Sequence, residues 1–148
     1  MSTIVKDIKD AIETTIGTTL GVTWSVLDHK FDLEKNNLKN STKRFGVKVL
    51  DGPSSIGILK HYTVNRTFQI TFLTEYKGLN KSDTNQQLAL DILEDAIDDS
   101  LVALINEKVG LPTKVINVVL SLINEPDFTI ENMTFINLDL IISYRRQL

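Results

Sequence analysis

Residues 84–108 carry the pattern that most restricts how this chain can fold. Ala89, Leu93, Ala96, Ile97, Leu101 and Leu104 recur at the three- and four-residue spacing of one helical face, flanked by Ile92 and Ile105. Asp91, Glu94, Asp95, Asp98 and Asp99 fall on the opposite side. A helix divided this cleanly must lay its apolar stripe on another element and keep its carboxylates out of the core. Ser82 or Asp83 can cap its first turn, and Gly110 with Pro112 closes it.

What that stripe rests on is written in the strand-like segments. Tyr62, Val64, Phe68, Ile70 and Phe72 point one way along a run whose other side is Thr63, Asn65, Thr67, Gln69, Thr71 and Leu73, so one face is core and the other is wet. Phe45, Val47 and Val49 alternate with Gly46 and Lys48, and DGPSSIG supplies turn residues before the chain returns, which reads as a hairpin. Arg66 interrupts the apolar face, so the strand projects beyond the core there or Arg66 meets a carboxylate; projection is the preferred expectation.

A second hairpin spans 115–123 and 133–144. Ile116, Val118, Leu120 and Leu122 share one face of its first strand, Ile136, Leu138, Leu140, Ile142 and Tyr144 one face of its second, and Asn117, Ser121, Asn137 and Asp139 the reverse. Before these come an amphipathic helix and a short strand. Ile4, Val5, Ile8, Ala11, Ile12, Thr15 and Ile16 form the helix stripe, Ser2 or Thr3 can cap it, Gly17 ends it, and a short strand follows at 22–27. The expected fold is therefore α+β: a mainly antiparallel sheet built from two hairpins plus a short strand, with two helices packed on one face.

The chain has 148 residues, 42% of them hydrophobic and 24% charged, enough for one core, so 1–148 reads as a single domain. Residues 28–44, rich in Asn and Lys, read as a long polar loop, either a contact arm or a solvated connection. Without cysteine there is no disulfide framework, thiolate metal site or cysteine nucleophile. A net charge of −3 argues against nucleic-acid binding by the whole surface. The opening residues alternate charged and apolar side chains, unlike a signal peptide, and no run approaches membrane-spanning length.

The search for chemistry returns little. His29 in the polar loop and His61 at the foot of a strand are the only two histidines, and neither has patterned partners for a metal or a triad. Phosphate-binding glycine loops, HExxH and GxSxG are absent, so no catalytic residue, cofactor or metal ligand is assigned. The five carboxylates Asp91, Glu94, Asp95, Asp98 and Asp99 are open to several readings: a solvated face, a divalent-cation site, a face lining a passage, or a contact for a basic neighbour. Lys43, Arg44, Arg145 and Arg146 can supply complementary positive charge between subunits, or be solvated.

The N-terminal helix, the hairpin over Phe45 to Leu73, the helix after SDTNQQLALDILEDAIDDSLVALI and the closing strand FINLDLIISYRRQL together resemble the tail terminator family of long-tailed bacteriophages. That resemblance implies a non-enzymatic virion protein, assembled in the host cytoplasm, that closes the growing tail tube as a hexameric ring and offers a surface to the neck and head. Its implied partners are copies of itself, the tail tube protein, a neck or connector protein, and DNA that passes through the lumen without specific binding; no membrane is involved. The alternatives are a head-completion or connector protein, a tail tube-like protein, or a small nucleic-acid-binding module using the Lys-rich loop. In a ring, the exposed edges of the hairpins are the expected subunit contact, with Arg66 and Phe68 taking part and the acidic helix face lining the lumen.

Overall fold

The computed structural model describes residues 4–27, 43–50, 54–58, 61–75, 83–106, 110–127 and 133–147. Helix α1 (Ile4–Leu20) buries Ile8, Ile12, Thr15 and Ile16 and carries two i,i+4 ion pairs on its outer side, Lys6 with Asp10 and Lys9 with Glu13. The Asp10 carboxylate raises the Lys6 ammonium above its usual range. Gly17 does not end α1. It keeps helical backbone beside the Phe45 ring, and the helix stops one turn later at Gly21, whose φ of 85° is the left-handed conformation that helix ends require. The Gly21 N–H donates to the Gly17 carbonyl at 3.0 Å.

Helix α2 (Asp83–Leu101) continues as a π-helical turn over Val102–Asn106. Its stripe is the core side expected from the spacing: Ala89, Leu93, Ala96, Ile97 and, in the π turn, Leu104 are all buried. Gly110 follows with φ 70°, and a Cβ there would come within 3.0 Å of Thr15 Oγ1, so glycine both turns the chain and admits α1. The proposed caps Ser2, Thr3 and Ser82 lie outside the described residues, as does the polar loop over 28–42.

The strands are β1 (Trp24–Val26), β2 (Lys43–Val49), β3 (Ser54–Ile58), β4 (His61–Glu75), β5 (Val115–Ile123) and β6 (Met133–Gln147). They form one six-stranded sheet in the order β1-β2-β4-β6-β5, with β3 also beside β4. All pairs are antiparallel except β1 with β2. The two hairpins join back to back: β4 and β6 pair along their whole length, from His61↔Gln147 to Glu75↔Met133. On the outer side of β4, β2 covers Phe68 to Thr74 and β3 covers His61 to Asn65.

Several local expectations change. The stretch read as pure turn contains β3, a fifth antiparallel strand element hidden by its two serines and a glycine. Lys43 and Arg44, placed at the end of the loop, already belong to β2. In β5 the alternation fails at both ends, because irregularities between Val115 and Asn117 and between Leu120 and Leu122 shift the register by one residue. Val118 stays buried, while Ile116 and Leu122 are turned out.

Both helices pack on one face of the sheet. Phe45, Val47, Val64, Phe68, Ile70, Phe72, Ile136, Leu138, Leu140, Ile142 and Tyr144 form that face and meet Ile8, Ile12, Ile16, Leu93 and Leu104. Trp24 completes the layer edge-on against Phe72, with ring centroids 6.2 Å apart.

Candidate functional site

The face of the sheet away from the helices is tied across its two central strands by polar pairs. Ser143 Oγ donates to Asn65 Oδ1 at 2.5 Å, Gln69 Nε2 to Asp139 Oδ1 at 3.3 Å, and Thr71 Oγ1 to Asn137 Oδ1 at 2.6 Å. Each pair is directly opposite in the β4–β6 register, so the bonds step down the sheet as a ladder. Side chains held by cross-strand partners keep their rotamers, which makes this face firm as well as hydrophilic. The far end of the face is not wet, however. Leu73 is fully buried, and Arg44 and Thr71 are only 6% exposed, so those positions have structural surroundings that a strand read in isolation does not reveal.

Across the molecule, Asp91, Glu94, Asp95, Asp98 and Asp99 are all exposed on the outer side of α2. Asp91 accepts from Gln87 Nε2 at 3.0 Å, one turn earlier. Asp95 and Asp99 rim an open groove of about 210 Å³ between α2 and the end of α1, floored by Leu20, Trp24, Ile92 and Ala96, with Lys43 at its side. The groove's hydroxyl, Thr19 Oγ1, donates to the Thr15 carbonyl at 2.8 Å, and no histidine is among its described lining residues. Among the described residues no group of three or more His, Asp or Glu is arranged to hold a metal ion.

The residues singled out for partner contact are scattered. Phe68 is 0% exposed in the middle of the sheet, so it is a core residue and this corrects its assignment to a contact surface. Arg66 does not project beyond the core either: it is half-buried, with Val64 and Phe68 buried on either side of it and Ile142 opposite. Among the described residues its buried Nε has no hydrogen-bond partner and no carboxylate pairs with it. Arg44 is buried in β2, Lys43 is half-buried beside the groove, and Arg145 is exposed near the end of β6. The side chains of Arg146 and His61, and all of His29, lie outside the described residues.

The edge of the second hairpin is made by β5, and what sequence reasoning missed is how much apolar surface it exposes. Ile116, Val119, Leu122 and Ile123 are each 40–50% exposed along one nine-residue strand with no neighbour on its outer side among the described residues. The available signal was the complete absence of charge in VINVVLSLI, unusual for a strand at the margin of a sheet.

No protein-family model matches the chain, and no curated protein matches it in sequence. Among solved structures, a chain of the virion of a native gene transfer agent particle is similar to it, with a TM-score of 0.60 over 99% of this chain and 100% of that one. The identity is 9%, so what the two share is the fold, over nearly the whole of both chains.

Proposed function

We propose that this chain is a structural protein of a phage-like virion, and that it acts as a ring-forming tail terminator. The supporting observation is the end-to-end likeness to a chain of a gene transfer agent virion, since the whole of each chain is accounted for by the other. The finer assignment comes from the order of elements that resembles tail terminators: amphipathic helix, hairpin, acidic-faced helix, closing hairpin. In this function the protein binds the last ring of the tail tube, stops its growth, and gives the neck a surface to seat on, while DNA passes through the lumen without specific contacts. It works by shape and surface complementarity rather than by chemistry. Its place is the virion tail or neck, reached by assembly in the host cytoplasm, with other copies of itself, the tube protein and a neck protein as partners.

Purified protein added to polymerising tail tubes tests this directly. A terminator fixes tube length and decorates one tube end in electron micrographs. Tubes that keep growing, with the protein instead bound at the portal side of filled heads, would replace the terminator with a head-completion or connector role.

A further inference from the structure

We propose that copies of this chain join head to tail through the two free margins of the sheet, β5 of one copy pairing with β3 of the next. The proposal rests on the ring-forming reading and names the joint that such a ring uses.

Among the described residues the sheet ends in β5 on one side and in β3 and β1 on the other. An outermost strand presents backbone N–H and C=O groups that only water or another strand can satisfy, and proteins that stay monomeric usually guard such strands with lysine, proline or inward charges. Neither margin is guarded by charge or proline within its strand. β5 reads VINVVLSLI and β3 reads SSIGI, without a charged residue or a proline in either. Ile116, Val119, Leu122 and Ile123 add exposed apolar surface along the β5 margin, which solvent alone does not favour.

The lengths also correspond. The two irregularities in β5 leave Asn117 to Leu120 as its regular stretch, close to the five residues of β3. β1 has three residues, too few to cover it. A second copy is therefore the occupant that both margins fit, because each offers the backbone pairing the other lacks. Since the two margins differ and lie at opposite ends of the sheet, the contact is heterologous, and its repetition builds a ring where the rotation closes, or a filament where it does not, rather than a dimer.

The experiment compares assembly masses by light scattering, with circular dichroism to check folding. Wild-type protein should exceed a dimer. The double substitution Val119→Lys with Leu122→Lys should fall to monomer with an unchanged spectrum, whereas Val102→Lys, which removes an equally exposed apolar residue outside the sheet, should assemble as wild type does. Should the double variant fail to fold, Asn117→Lys, at an exposed position on the same strand, provides the same comparison. Blunting the other margin with Ile56→Lys should also give monomers, and mixing the two blunted chains should yield a heterodimer and nothing larger, since one intact joint remains.

Wild-type protein that stops at a dimer would overturn the head-to-tail pairing, and a wild-type monomer at every concentration would overturn self-association through these strands. Rings that survive the β5 or β3 substitutions would end this inference while leaving the terminator function intact. Normal rings that fail to cap tubes would do the reverse.

Discussion

Replacing Tyr144 with Phe should stabilise this protein, because the hydroxyl is buried with no partner among the described residues. Tyr144 is 0% exposed among Val64, Ile142 and Val115, and its Oη accepts and donates no hydrogen bond there. In the unfolded chain that hydroxyl is hydrated, so folding strips it of water without replacement, at a cost of about 1–3 kcal/mol. The Tyr144→Phe change keeps the ring and its packing and deletes only the unsatisfied group. Taking the lower end, since removing one atom also leaves a small gap, the gain is about 1 kcal/mol. For a domain of this size that corresponds to a rise in Tm of roughly 2–4 °C. Urea unfolding followed by fluorescence of Trp24, the single tryptophan, measures it directly. The midpoint should rise at constant slope, because the surface exposed on unfolding hardly changes. A loss of about 1 kcal/mol or more would refute the reasoning, showing that the hydroxyl is bonded in solution.

Further substitutions probe other elements. Gly17→Ala should stabilise α1 by up to about 1 kcal/mol, since a Cβ there meets only the Phe45 ring at 3.7 Å, and thermal melting would detect it. Gly21→Ala should cost about 1–2 kcal/mol in the same assay, although nothing lies within 4 Å of the new methyl, because its φ of 85° disfavours any Cβ. Phe68→Asp should abolish folding rather than merely disrupt assembly, as it puts a carboxylate into a fully buried site; a cooperative melt near the wild-type temperature would contradict its place in the core.

The parts of the fold legible from sequence were those governed by local spacing. The α2 stripe, the alternation in β4 and β6, and the polar reverse face with Asn65, Gln69, Asn137 and Asp139 all follow from periods of 3.6 or 2. The parts that escaped depend on contacts distant in sequence. Nothing in either hairpin alone says that β4 and β6 should pair with each other, or that β1 should run parallel to β2. β3 escaped because Ser54, Ser55 and Gly57 suit a turn as well as a margin strand, and it acquires its structure only by pairing with His61 to Asn65. Gly17 reads as the helix end by sequence, yet it stays helical beside the Phe45 ring, and Gly21 takes the left-handed backbone instead. The candidate surface was half visible: the carboxylates of α2 stand outside, as their spacing implies, but the exposed flank of β5 arises from register shifts that no periodicity encodes.

In the proposed ring, helices that lie on the same side of the sheet would make each subunit a keystone. A ring closed through β3 and β5 has a larger circumference outside than inside, and a layer of helices about 10 Å across fits the larger one. The sheet would then become the inner wall, and the rungs Asn65–Ser143 and Gln69–Asp139 would face the bore. The duplex would slide past amides and hydroxyls that are already engaged with one another, while the carboxylates of α2 would stand on the outer rim, away from its phosphates.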